Sequence, residues 1–307
     1  MEKIEVDQLS LWDDLLGPGM TAVVGAGGKT SLIQLMAHLS QAKAIPTVVT
    51  TTTKMYHQQL ASWPLYVGED LEGAQVFCQQ AVSETGVAAW AGNLVEVGAG
   101  TQILGLGLEP ESALDSFLGK VQGPRLEALC QLSQRQPSWQ ILIEADGARH
   151  KVLKAPKSTE PVIPQGARQT IGVLNLSVLG QEASKDLVHN WDLFRSLLGI
   201  AERRSSRDGQ PIVEGHPMAN GRPIADCQTM EKGQPIDMPM LVNLVKSPRG
   251  LFQYSQGQKV LFCLACENLS QENLDQWLSM LASSGVDKIV LAHGWGSHIE
   301  IRRIVTC

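Results

Sequence analysis

Residues 20–36 constrain the fold of this chain most, because they change from a strand pattern to a glycine-rich turn and then to an amphipathic helix. Residues 21–24 predict a short buried strand, and a helix should begin at Lys29. The glycines between them let the backbone turn with its N–H groups facing inward, and the dipole of the following helix favours an anion. The stretch therefore predicts a phosphate-binding loop at the edge of an α/β sheet.

The loop is a shortened form of the standard phosphate-binding pattern. That pattern places a glycine where this chain has Val23, so the motif here is Gly25-x-x-Gly28-Lys29-Thr30. A strand-to-helix connection that binds no ligand could share this pattern. The phosphate-binding interpretation is favoured because Lys29 and Thr30 stand where the helix begins and apolar residues continue at helical spacing. We expect nucleotide phosphates to be bound by Gly25, Ala26, Gly27, Gly28, Lys29, Thr30 and Ser31.

The composition indicates the class of protein and excludes some kinds of binding partner. The chain has 307 residues, 43% of them hydrophobic and 18% charged, which is enough for the core of one large globular domain or of two smaller ones. A net charge of −6 argues against a nucleic-acid partner, because phosphate backbones attract basic surfaces. The charged start, and the lack of an apolar run as long as a membrane span, predict a cytoplasmic protein with no membrane association. Six scattered cysteines predict reduced thiols, with Cys263 and Cys266 buried rather than binding a metal.

A second strand, predicted at residues 47–50, leads directly into a run of threonines that ends at Lys54. Threonine favours extended backbone, so the run is consistent with an ordinary strand end. Parallel strands, however, present their carboxyl ends at one edge of the sheet, where ligands bind. We therefore expect Thr52, Thr53 and Lys54 to extend the phosphate site.

A third predicted strand, residues 141–143, ends in two carboxylates, Glu144 and Asp146. The alternative to a catalytic role is a salt bridge or a helix cap. In a phosphate-loop protein an acidic residue at this position holds Mg²⁺. We expect Thr30 and Asp146 to hold the metal, Glu144 to activate or position the attacking group, and Lys29 to contact the terminal phosphates.

Residues 149–157 carry five cationic side chains in nine positions, which is unusual in a net-acidic protein. Such a run is often a solvated surface, and the alternative is a loop that clamps an anion. On the second interpretation Arg149 and Lys154 would face an acidic second substrate or the transferring phosphoryl group. His189, placed in the first turn of a predicted helix, is interpreted as a packing residue.

The remaining pattern predicts one phosphate-loop-type α/β domain over residues 1–307, with a polar, Gly/Pro-rich excursion at about 201–237 and late strands within 238–307. The further predicted elements are helices at 5–16, 71–82, 109–118, 125–134, 186–198 and 273–281, a β-hairpin at 93–107 around residues 98–100, and strands at 169–176, 240–246, 259–264 and 288–292.

Several motifs together resemble one known family, the YqeC-type accessory proteins of selenium-dependent hydroxylases. The matching segments are residues 24–31, 50–54, 106–111, 143–149, 153–156 and 160–164. The resemblance implies a P-loop NTPase-like fold, with a mainly parallel sheet flanked by helices. It also implies a role in maturing selenium-dependent molybdenum hydroxylases, through selenium or molybdenum cofactor biosynthesis or insertion.

The sequence departs from that family in two places. His189-Asn190 stands where a histidine-arginine pair is expected. Residues 243–246 stand where a guanine-reading Asn-Lys-x-Asp is expected, and they lack its acidic residue. The identity of the base is therefore open, and we expect either ATP or GTP, bound with Mg²⁺.

Three functions fit these observations. The first is a Mg-nucleotide-dependent NTPase that works with a molybdenum hydroxylase or a cofactor-maturation partner. The second is an ATP-dependent ligase or kinase acting on a small acidic metabolite, because the short loop also resembles that of the muramyl-peptide ligases. The third is a non-catalytic, nucleotide-gated chaperone that delivers a cofactor.

Overall fold

The computed structural model describes residues 10–97, 100–106, 124–198, 204–205, 211–212, 218–219, 222–223, 234–294, 296 and 298–307. In chain order the elements are β1 (Gly19–Gly25), α1 (Lys29–Ala42), β2 (Thr47–Thr51), β3 (Lys54–Tyr56), β4 (Leu65–Val67), α2 (Leu71–Thr85), β5 (Val87–Ala91), β6 (Asn93–Val97), β7 (Gly100–Leu104), α3 (Pro124–Arg135), β8 (Gln140–Glu144), β9 (Leu153–Lys154), β10 (Gln169–Asn175), β11 (Val188–His189), α4 (Trp191–Leu197), β12 (Arg204–Ser205), β13 (Pro211–Ile212), β14 (Met218–Ala219), β15 (Arg222–Pro223), α5 (Met238–Lys246), β16 (Gln258–Leu264), α6 (Gln271–Leu281), β17 (Lys288–His293) and β18 (Glu300–Thr306). Short 3₁₀ helices lie at His57–Gln59, Leu176–Val178 and Cys266–Asn268.

A nine-stranded sheet organises the described residues, in the order β18-β17-β16-β10-β1-β8-β2-β5-β4. All neighbouring strands are parallel except β17 and β18. The chain is thus an α/β protein with a mainly parallel sheet flanked by helices, as predicted. Strand β1 lies at the centre, between β8 and β10, so the ends of β1, β2, β8 and β10 come together at one edge.

Both faces of the sheet are buried, because successive side chains of a strand point to opposite sides. In β1, Ala22 and Val24 belong to one core, while Val23 belongs to the other. Helix α1 packs on the Val23 side through Leu32 and Met36. Each of these two fully buried side chains stabilises the fold by roughly 1.5–3 kcal/mol relative to exposure. Helices α2, α3, α5 and α6 contribute buried side chains to the core on the opposite face of the sheet.

Most of the predicted elements are confirmed, with boundaries shifted by a few residues. The confirmed elements are the strands β1, β2, β8, β10, β16 and β17, the helices α1, α2, α3 and α6, and the antiparallel β6–β7 hairpin. Cys263 and Cys266 are buried as expected, and their burial raises the pKa of both thiols.

The late strand predicted at residues 240–246 is wrong, because this segment forms helix α5. The Asp237 side chain accepts a hydrogen bond from the Met240 N–H, which caps the first turn, and a proline stands at the start of the helix. Met240, Leu241 and Leu244 are buried at helical spacing. A short apolar run fits either a strand or a helix, and here the cap favours the helix.

The helix predicted at residues 186–198 is also too long. Only Trp191–Leu197 is helical, and it is preceded by β11, which pairs in parallel with β9. Asn190, at φ 59°, separates the strand from the helix. His189 therefore lies in a strand rather than in the first turn of a helix.

Some predictions fall on residues outside the described ranges. They are the helix at 109–118, the start of the helix at 5–16, residues 98–99 of the hairpin and most of the 201–237 excursion. Within the described part of the chain, no helix has both the length and the apolar character that crossing a membrane requires.

Candidate functional site

The loop between β1 and α1 has backbone conformations that only glycine adopts without strain. Gly25 and Gly27 have φ angles of 97° and 71°. A Cβ atom would lie 2.4 Å from the carbonyl oxygen of Val173 at the first position and 2.7 Å from that of Val152 at the second. Helix α1 begins after Gly28 with no side-chain cap and no acidic residue in its first turn. Its N-terminal amides and dipole therefore suit an anion.

Lys29 is folded back over this loop. Its ammonium donates a hydrogen bond to the Gly25 carbonyl at 2.8 Å and lies 3.2 Å from Asp146 Oδ1. The side chain is only 5% exposed. Burial alone would lower the pKa of Lys29, but the attraction of Asp146, and then of Glu144, outweighs burial and raises it. Lys29 is thus a charged side chain whose ammonium is held against the backbone of the loop at Gly25.

Asp146 ties the loop to a second lysine. Its Oδ2 atom accepts a hydrogen bond from the Gly25 N–H at 3.1 Å and lies 3.2 Å from the ammonium of Lys154. Lys154 in turn lies 2.9 Å from Glu160 Oε2 and donates to the Gly147 carbonyl at 2.6 Å. The contact of Lys29 with Asp146 Oδ1 is an ion pair without hydrogen-bond geometry. Two buried ammonium groups therefore flank one buried carboxylate.

Lys154, predicted to face a second substrate, is buried in this network, with 1% of its side chain exposed. A substrate role would require its ammonium to leave three protein oxygens. Arg149, the other predicted substrate residue, is exposed on the loop after β8, at φ 47°. The two residues, which the prediction grouped as substrate contacts, therefore differ in environment: Lys154 is buried and Arg149 is exposed.

Thr30 contacts the other carboxylate of the pair. Its hydroxyl donates a hydrogen bond to Glu144 Oε2 at 2.7 Å, whereas Asp146 contacts the lysines and the Gly25 amide. Burial raises the pKa of Glu144, opposed by the nearby charge of Lys29. The sequence predicts that Thr30 and Asp146 hold the metal together, and this stays a prediction. In the structure the Thr30 hydroxyl is bonded to Glu144 and not to Asp146.

The threonine run serves mainly to hold the strand ends together. The Thr51 hydroxyl donates to the Glu144 carbonyl at 2.9 Å, and the Thr52 hydroxyl donates to the Val162 carbonyl at 2.8 Å. The Thr53 amide donates to the Thr51 hydroxyl at 3.0 Å. Thr53 is buried and Lys54 is exposed. A phosphate role for Thr52, Thr53 and Lys54 stays a prediction.

Two residues at the site were not predicted from the sequence. Asn175 donates from Nδ2 to the Gly27 carbonyl at 3.2 Å, and its place at the end of a predicted strand beside β1 was a usable signal. Gln59 donates from Nε2 to the Thr30 hydroxyl at 3.2 Å. No sequence pattern marks Gln59. Among the described residues, no group of three or more His, Cys, Asp and Glu side chains is arranged to hold a metal ion.

Comparison with known proteins places all of these residues inside one matched region. A family model described as YqeC protein matches residues 21–192. The uncharacterized protein YqeC of Escherichia coli (strain K12) is 34% identical over 194 residues, which are 60% of this chain and 62% of that protein. The chain thus matches less than two thirds of the length of this relative. No solved structure matches the chain.

Proposed function

The chain belongs to the YqeC family, and we propose that it is a Mg-nucleotide-binding accessory protein that cleaves the terminal phosphate of ATP or GTP. The observation that carries this proposal is Lys29, whose buried ammonium lies 2.8 Å from the Gly25 carbonyl at the uncapped start of α1. Lys154 also lies 3.2 Å from Asp146, so this carboxylate keeps a cationic partner when the Lys29 ammonium moves away. Lys29 is therefore available to exchange a protein carbonyl for a phosphate oxygen.

The backbone amides of the loop and the Lys29 ammonium would both bind the phosphate oxygens. Phosphoryl transfer proceeds through a transition state with negative charge on the phosphoryl oxygens, so fixed N–H donors and an ammonium lower its energy. Asp146 would hold the Gly25 amide and Lys29 in place through its two oxygens. Lys154 keeps Asp146 paired when Lys29 turns to the phosphate.

Thr30 and Glu144 are the residues that suit Mg²⁺. This ion takes oxygen ligands, keeps several waters and is commonly held by one or two protein groups together with phosphate oxygens. The Thr30 hydroxyl and the Glu144 carboxylate lie 2.7 Å apart and supply such a pair. This differs from the assignment made from the sequence, in which Asp146 shared the metal with Thr30. The ion would neutralise charge on the phosphates.

A nucleotide titration tests this proposal. Fluorescent ATP and GTP analogues are titrated with Mg²⁺ into the wild-type protein and into Lys29→Ala. We expect wild type to bind one of them and Lys29→Ala to lose binding, because the variant lacks the cation at the loop. Lys43→Ala is the matched control, since Lys43 is a cation just after the other end of α1 and pairs with Asp13 at the surface. Equal affinity of Lys29→Ala and wild type would contradict the proposal.

The biological role that we propose is maturation of selenium-dependent molybdenum hydroxylases, supported by the motifs shared with the family. Cells that lack this protein should produce a hydroxylase with reduced selenium content and activity. The wild-type gene should restore both, whereas Lys29→Ala should not. Full hydroxylase activity in the deletion strain would refute this role and leave nucleotide binding untouched.

A further inference from the structure

Gln59 lies beside the Thr30–Glu144 pair, and both polar atoms of its side-chain amide are hydrogen-bonded. The Gln59 Oε1 atom accepts a hydrogen bond from the Tyr56 N–H at 2.8 Å, and Nε2 donates to the Thr30 hydroxyl at 3.2 Å. The Tyr56 amide can only donate, so the atom facing it must be the carbonyl oxygen of the side chain. The amide nitrogen of Gln59 is thereby directed at Thr30.

This contact determines how the Thr30 hydroxyl can be oriented. A hydroxyl has one hydrogen to donate and two lone pairs that accept. Thr30 gives its hydrogen to Glu144 Oε2, and one lone pair receives the Gln59 N–H. One lone pair is left, and a metal ion needs a lone pair rather than a hydrogen. Gln59 and Glu144 together fix the rotation of the hydroxyl, so binding does not have to order it.

The backbone of Gln59 has a separate, structural contact. Gln34, on α1, donates from Nε2 to the Gln59 carbonyl at 3.0 Å. That contact attaches the 3₁₀ helix His57–Gln59 to α1 without using the Gln59 side chain. A substitution of the Gln59 side chain therefore leaves this attachment in place, which allows the two roles to be tested apart.

We propose that Gln59 is a positioning residue for the divalent cation, acting through the Thr30 hydroxyl. This inference rests on the proposed function, because it concerns how the proposed nucleotide site binds Mg²⁺. It predicts that the Gln59 side chain affects nucleotide binding only when the cation is present. A side chain with a merely structural role would affect binding with and without the cation alike.

The test compares nucleotide affinity with Mg²⁺ and in EDTA for wild type, Gln59→Leu and Gln34→Leu. Leucine at position 59 removes the N–H donor to Thr30 and also the oxygen that accepts from the Tyr56 N–H, so the measurement in EDTA separates the second loss from the first. We expect the Mg²⁺ concentration for half-maximal effect to rise about 2- to 10-fold in Gln59→Leu, the range for loss of one hydrogen bond. Affinity in EDTA should equal that of wild type, which also shows that the phosphate loop is intact.

Gln34→Leu is the matched control, because it removes the contact to the Gln59 backbone and leaves the Thr30 hydroxyl bonded. We expect its Mg²⁺ dependence to match wild type. An unchanged Mg²⁺ dependence in Gln59→Leu, or an equal loss with Mg²⁺ and in EDTA, would overturn the role of Gln59 and leave the proposed function standing. Wild-type protein that binds neither nucleotide would overturn both.

Discussion

The stability of the buried charge network gives the sharpest prediction, and Asp146→Asn is the perturbation. Asparagine keeps the size of the side chain and removes its charge, which lies 3.2 Å from each of two ammonium groups. Lys154 would still have Glu160 at 2.9 Å, but Lys29 would keep the Gly25 carbonyl and the weaker attraction of Glu144 and Glu160. Removing one partner of a buried ion pair costs about 3–5 kcal/mol. We expect about 3 kcal/mol here, because Glu144 partly compensates.

Lys29→Met completes a double-mutant cycle. Alone it leaves Asp146 paired with Lys154 and with the Gly25 amide, so we expect a loss of about 2 kcal/mol, typical of a hydrogen bond or contact to a charged group. In the double variant the unpaired ammonium of Lys29 is gone as well. The double variant should therefore be more stable than the sum of the two single losses predicts, by about 1–3 kcal/mol, within the range for residues in contact.

The cycle is measured by urea denaturation at pH 7. Tryptophan fluorescence and circular dichroism must give coincident transitions, so that a free energy of unfolding is defined. Asp13→Asn is the control, because Asp13 pairs with Lys43 at the surface and should change stability by less than about 0.5 kcal/mol. Additive losses for Asp146→Asn and Lys29→Met would refute the coupling of these two residues and the charge balance derived from it.

Two further predictions concern Glu144 and the loop glycines. Burial raises the pKa of Glu144 above its ordinary 4.5, so the folded state binds this proton more tightly than the unfolded state and loses stability as pH rises through the folded pKa. Glu144→Gln should gain free energy of unfolding relative to wild type as pH rises above 4.5, and a pH-independent difference between the two proteins would contradict this. Gly27→Ala should weaken nucleotide binding and destabilise the fold by about 1–3 kcal/mol, because its Cβ would lie 2.7 Å from the Val152 carbonyl oxygen. Gly147→Ala, whose Cβ would have no atom within 4 Å beyond its two chain neighbours, should match wild type in both thermal unfolding and titration. Equal effects of the two substitutions would refute the steric argument.

Local sequence accounts for much of the fold. The strand, turn and helix around Gly25 follow from neighbouring residues alone, since buried strands, glycine turns and helix starts each have short-range signals. The pattern was misleading for α5, where the apolar residues 240–246 fitted either type of element. It also failed at β11, a two-residue strand that exists only because β9 lies beside it.

The sequence by itself determined which residue types meet at the site, because every parallel strand brings its carboxyl end to the same edge of the sheet. Only the tertiary structure decided which partner each one has. Thr30 meets Glu144 across 114 positions of chain, and Gly25 meets Asp146 across 121. The placement of β8 between β1 and β2 sets these pairings. The contact of Gln59 with Thr30, 29 positions apart in the chain, likewise depends on how separate segments pack together rather than on local pattern.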